Sequence, residues 1–88
     1  MNKERRKQIE AVKSRIESLL SEAASIQADV EAIRDEEQEY RDNMPESLAE
    51  GDKGQKAETA ISALEQVIED LENLAGSEFD TQLNTAAE

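Results

Sequence analysis

Carboxylates are the most abundant groups in this chain that could do chemistry. Asp and Glu make up 22 of its 88 residues against 10 Lys and Arg, and the chain has neither His nor Cys. Glu36 with Glu39, and Glu65 with Glu69, stand three and four residues apart, a spacing that puts both side chains on one helix face. Paired acids of this kind can hold a hard cation. Carboxylate di-metal bundles add His at a fixed spacing, however, so with no His the pairs are expected to form a solvated acidic face with no metal. Gly51-Asp52-Lys53-Gly54 lacks the length and the Gly-Lys-Ser/Thr ending of a phosphate loop. The stretch Glu46–Lys53 lacks the Asp/Asn ladder and terminal Glu of a calcium loop. The chain is therefore expected to be no enzyme and to use no cofactor.

The cations are concentrated at one end. Residues 1–16 hold Lys3, Arg5, Arg6, Lys7, Lys13 and Arg15 against Glu4 and Glu10, a net of +4; the formal charge of −12 then leaves −16 for the rest. Cations at a helix N-terminus oppose the helix dipole, each by a few tenths of a kcal/mol. That arrangement points to an acidic counterpart in a second copy or a partner, or simply to a soluble frayed end. Lys3, Arg5, Arg6 and Lys7 have no interleaved aromatics, and the remaining chain repels polyanions, so no direct nucleic-acid binding is expected.

Whatever these groups do, helices must position them. Apolar and charged residues each make up 36% of the chain, with one Phe, one Tyr and no Trp. That is a coiled-coil composition rather than a globular one, and 88 residues suffice for one small domain. No run approaches the ~20 apolar residues of a membrane helix. The basic N-terminus lacks the apolar segment of a secretion signal, so a cytoplasmic location is expected, which the absence of Cys suits.

Residues 3–42 contain no Gly or Pro, and from Ile9 to Met44 apolar positions step by three and four: Ile9, Val12, Ile16, Leu19, Ala23, Ile26, Val30, Ile33, then Glu37 out of character, Tyr40 and Met44. Steps averaging 3.5 residues keep one helix face against a partner helix. At 1.5 Å per residue such a helix is roughly 60 Å long. Residues 43–55 form a connector, where Pro45 ends the helix and Gly51 and Gly54 supply flexible backbone. Ser47 with Glu50, and Asp52 with Gln55, have capping-box spacing; Asp52 is the favoured cap, with a short helical turn at Glu46–Glu50. A second helix follows over about 53–75. Its apolar face is wide, because Ala60, Val67 and Leu74 repeat beside Ile61, Ile68 and Ala75, and a stripe that wide touches two neighbours. Gly76 sits at a helix C-cap, and residues 77–88 are expected to be a short turn and a flexible tail.

The expected architecture over residues 1–76 is an all-α, long antiparallel helical hairpin. Its shorter helix covers roughly residues 20–42 of the longer one, since both rise equally. Ile9, Val12, Ile16 and Leu19 are then left in water as a self-association surface. Two hairpins can pair into a four-helix arrangement, as a homodimer or higher homo-oligomer. Alternatively the first helix breaks near Ala23-Ala24-Ser25, giving a monomeric three-helix bundle. No Gly or Pro marks such a break, so the oligomer is preferred. Antiparallel pairing would bring the basic N-terminus of one copy toward Asp35-Glu36-Glu37-Gln38-Glu39 of the other. Glu37, at a seam position, either reaches solvent where the seam opens near the turn or contacts a basic group such as Arg41. Tyr40, Met44, Pro45 and Leu48 plug the end of the hairpin or offer a contact patch for a protein partner.

The run from Arg34 through Glu39 into Tyr40-Arg41-Asp42-Asn43-Met44-Pro45-Glu46-Ser47-Leu48, followed by Gly54, Ala57-Glu58, Ala60-Ile61 and Leu64-Glu65, resembles small acidic helical proteins of tailed bacteriophages and prophages, a largely uncharacterised group. The resemblance covers about Ile26 to Leu74. It implies an accessory protein of the bacterial host cytoplasm and carries over no catalytic residues. Where that group often has further acids in its second helix, this chain has Thr59, Ser62 and Gln66. Three functions are then open. The first is a non-enzymatic protein that binds a host or phage protein. The second is an acidic DNA mimic or anti-defence inhibitor using Glu31, Asp35, Asp42, Glu65, Glu69 and Glu72 in place of phosphates. The third is an oligomer that sequesters nucleotides at its basic ends.

Overall fold

A computed structural model describes residues 2–88. It contains α1 (Lys3–Asp42), α2 (Glu46–Ala49), α3 (Asp52–Ala75) and α4 (Phe79–Ala86), with no strand among the described residues. The molecule is a rod of 67 × 16 × 13 Å with a radius of gyration of 20.1 Å, where a globular chain of this length would have about 12 Å.

α1 is continuous, so the break near Ala23-Ala24-Ser25 required by a three-helix bundle does not occur. Good helix formers fill its interior. The Asn2 side chain caps its start by accepting from the Arg5 amide at 2.8 Å, and Pro45 prevents its continuation past Asn43. α2 is the single turn that follows this proline, its Leu48 and Ala49 amides donating to the Pro45 carbonyl at 2.9 Å. α3 starts one residue earlier than a cap at Asp52 would require. Gly51 takes the cap position without a side-chain bond, and Asp52 becomes a first-turn acid at the positive end of the helix.

α3 returns alongside α1 in the opposite direction. Arg41 reaches Glu58, and Gln27 Nε2 donates to Glu72 Oε1 at 3.3 Å. Further along the same path, Lys13 Nζ donates to Asn84 Oδ1 at 2.8 Å and Arg6 Nε to the Ala87 carbonyl at 2.9 Å. The expected flexible tail is therefore helical over Phe79–Ala86. An isolated eight-residue helix is marginal in water, and contact with α1 is what stabilises this one. Phe79 lies in a groove shared with Ile16 and Leu20, and Leu83 in one shared with Ile9 and Val12. Together α3 and α4 follow α1 from Arg41 to Arg6. The expectation that Ile9 and Ile16 lack an intrachain neighbour is corrected by the same contacts.

Gly76 closes α3, but with φ −82° and ψ −1° it stays in the right-handed region. The left-handed turn expected of a C-cap glycine would have sent the chain away; the right-handed one lets it resume as α4. A Cβ at Gly76 would meet only the Glu72 carbonyl oxygen at 3.4 Å and that of Asn73 at 3.8 Å. Gly76→Ala is expected to stabilise the chain by about 0.4–1 kcal/mol, because alanine restricts the unfolded chain without straining this conformation. A thermal midpoint at or below that of the parent would refute this.

The core is small. Among the described residues the buried apolar ones are Ala23, Ala57, Ile61 and Ile68, and none of the large side chains is fully buried.

Candidate functional site

The residues of α1 that lose exposure are Ile9, Lys13, Ile16, Leu20, Ala23, Gln27, Val30, Arg34, Glu37 and Arg41, again stepping by three and four, with Glu31 beside them and Met44 continuing the pattern just past the helix. This inward seam takes only half of the apolar stripe. The shared row is Ile9, Ile16, Ala23, Val30, Glu37 and Met44. The second inward row, Lys13, Leu20, Gln27, Arg34 and Arg41, is mostly polar. Long stems explain how such residues can face a neighbour: methylenes cover apolar surface while the polar heads bond at the edge. Lys13, Gln27 and Arg41 bond to Asn84, Glu72 and Glu58 in this way.

The other half of the stripe points outward. Val12, Leu19, Ile26, Ile33 and Tyr40 recur every seven residues along the whole helix and are 41%, 52%, 42%, 53% and 52% exposed. α3 adds a parallel row of Ala60, Val67 and Leu74, of which Val67 is exposed and the other two half-buried. Each row stands one residue before an inward row (Lys13 to Arg41 on α1, Ile61 and Ile68 on α3). In an antiparallel pair, positions with the same offset fall on the same side. The two rows therefore form one apolar face. Glu17, Glu31, Glu58, Glu65 and Glu72 occupy the opposite side, where Gln27 Nε2 bridges Glu31 and Glu72 at 3.0 and 3.3 Å.

The sequence-selected residues divide across this geometry. Of Ile9, Val12, Ile16 and Leu19, the isoleucines turn inward, while Val12 and Leu19 belong to the outward row. Two shallow grooves border them, one lined by Arg5, Gln8, Ile9, Val12 and Leu83, the other by Val12, Arg15, Ile16 and Leu19. Tyr40, Met44, Pro45 and Leu48 do not all share one surface: Met44 is half-buried in the seam, Tyr40 extends the outward row, and Pro45 and Leu48 are exposed at the turn. Glu37 is half-buried and has no ion pair among the described residues, since Arg41 turns to Glu58 instead. Ile26, Ile33 and Val67 were not singled out by sequence as surface residues, although their seven-residue spacing contains the signal.

The basic end is partly engaged within the chain. Arg6 donates from Nε and Nη2 to the Ala87 and Glu88 carbonyls at the C-terminal end of α4, where the helix dipole favours a cation. Glu36, Glu39, Glu65 and Glu69 are all exposed. Among the described residues no group of three or more His, Cys, Asp or Glu is placed to hold a metal ion, and no helix is long and apolar enough to cross a membrane.

Comparison with known protein families, with curated proteins and with solved structures gives no match for this chain.

Proposed function

We propose that the chain is a non-enzymatic interaction protein, a helical hairpin that docks a protein partner on its outward apolar face. The observation that carries this reading is the row Val12, Leu19, Ile26, Ile33 and Tyr40, exposed at strict seven-residue intervals on the outside of an already paired helix. Singly exposed apolar residues are ordinary, whereas a contiguous stripe marks an association surface. The resemblance of Arg34–Leu48 to small acidic phage proteins supports a role as a phage or prophage accessory protein, working on a host or phage protein in the bacterial cytoplasm. Tyr40 extends the docking face toward the turn.

The DNA-mimic reading finds support in the acidic side opposite, but several of its carboxylates already serve inside the chain. Glu31 and Glu72 accept from Gln27, Asp35 pairs with Arg34, and Asp42 accepts from Gln38. Nucleotide sequestration is the weakest, since Arg6 is committed to the end of α4.

Affinity capture from a bacterial host lysate separates these readings. Ile26→Glu with Ile33→Glu should abolish capture of a partner while the helical circular dichroism stays, and charge reversal at Glu65 and Glu69 should leave capture intact. Capture that ignores the row, depends on the glutamates and falls steeply with salt would replace this function with charge mimicry.

A further inference from the structure

We infer that the outward row of α1 is covered by a second copy of this chain, its α1 running antiparallel to the first about a two-fold axis at Ile26. This rests on the reading of the row as an association surface and names its occupant in the free protein, which a host or phage partner docking there would displace.

A seven-residue repeat held from Val12 to Tyr40 extends about 42 Å at 1.5 Å per residue. A partner must be equally long, straight and helical to use all of it. α1 itself meets that description. The row is also symmetric about its centre: antiparallel pairing at Ile26 sets Val12 opposite Tyr40 and Leu19 opposite Ile33, with Ile26 meeting its own copy.

Charge then selects the orientation. With this axis residues 10–16 of one copy lie along residues 36–42 of the other, and residues 3–9 extend past the end of that helix toward its turn. The first segment carries +1, from Lys13 and Arg15 against Glu10, and the cations Lys3, Arg5, Arg6 and Lys7 follow it, while Glu36, Glu37, Glu39 and Asp42 against Arg41 give the second −3. Arg15 and Glu36, both exposed and both on the row's outer flank, come opposite each other. A parallel pair would set the like-charged ends together at both extremities, which costs association and rate alike. Glu22 opposes Asp29 of the second copy, a contact the two-fold axis repeats, on an exposed flank where screening is strong.

The single chain needs such a partner. Four small or medium buried side chains among the described residues make a thin core, and chains of this size commonly make up the deficit by oligomerising. The acidic rows on the far side of the hairpin resist further stacking, so the pairing closes at two copies.

The chain has no cysteine, so single-cysteine variants on exposed positions report only the intended contacts, with helical circular dichroism as the folding control. Sedimentation equilibrium of the parent chain in the micromolar range should return the dimer mass, and Ile26→Glu should halve it. On mild oxidation Ile26→Cys should give a covalent dimer by itself, whereas Leu19→Cys and Ile33→Cys should cross-link only when mixed. A folded parent that stays monomeric, a dimer whose Ile26→Cys does not cross-link, or self-linking of Leu19→Cys as readily as Ile26→Cys overturns the inference. A monomer that still captures another protein through the row leaves the interaction function standing without the dimer. A dimer cross-linked as described keeps the inference even if a captured protein ignores the row.

Discussion

Ile68→Ala is expected to cost about 2–5 kcal/mol, the loss found on truncating a buried isoleucine to alanine. Most single domains are stable by only about 5–15 kcal/mol, and this one has few other buried side chains to share the loss. Ile68 is 6% exposed, on the face of α3 turned to α1 and flanked by Leu64 and Leu71 on the same face. Removing three carbons there leaves either a void or an inward movement of two helices that touch along one line. Thermal melts followed by helical ellipticity should show a midpoint many degrees lower, with much of the chain unfolded near body temperature. The control is Ser62→Ala, exposed on the same helix, which should stay within about 0.5 kcal/mol of the parent. If Ile68→Ala melts like Ser62→Ala, the α1–α3 seam is not what stabilises the fold.

The second large effect comes from a residue with no side chain. A Cβ built on Gly54 would lie 1.8 Å from the Ala49 carbonyl oxygen, 2.4 Å from its carbon and 2.7 Å from its Cα, all backbone atoms that no rotamer change can move aside. Gly54 is buried because α2 sits directly on the first turn of α3. Two terms compete in Gly54→Ala. Helix propensity favours alanine over glycine by about 1 kcal/mol, whereas overpacking of a close contact costs about 1–3 kcal/mol or more. An overlap this deep puts the second term ahead, and the cheapest relief is to lift the four-residue α2 away. Gly54→Ala should therefore lose net stability and accelerate amide exchange at Ala49, Glu50 and Gly51. Gly51→Ala should not, because a Cβ there meets nothing nearer than 3.6 Å. Unchanged exchange across the turn in Gly54→Ala would refute the contact.

The contrast between these glycines shows what sequence carries and what it does not. An uninterrupted run of helix formers and a three-four apolar alternation place α1 and α3 to within a residue of where they stand, since both signals are local. Gly54 reads as a flexible turn residue, yet its role is close approach to Ala49, and that depends on where α2 lands. α4 was out of reach for the same reason: Phe79 and Leu83 are two apolar residues in a polar run, and only α1 beneath them makes a helix worthwhile. The division of the stripe is subtler. Alternating steps of three and four describe two overlapping seams that share Ile9, Ile16, Ala23, Val30, Glu37 and Met44. Hydrophobicity favours the seam completed by Val12, Leu19, Ile26, Ile33 and Tyr40. α3 uses the other, completed by Lys13, Leu20, Gln27, Arg34 and Arg41, because long stems can bury and their heads find partners at the rim. A pattern of apolar residues therefore locates the face of α1 but not which half of it the chain itself will occupy.

The 67 Å length against 16 and 13 Å of width has a hydrodynamic consequence. A rod about four times longer than wide drags more solvent than a sphere of its mass, so a single copy elutes early from a sizing column, at the volume of a larger globular protein. Two copies stacked side by side along their length would thicken the rod while barely lengthening it, making the pair less asymmetric than its halves. Elution volume alone would thus blur one copy with two, whereas the frictional ratio should fall on association.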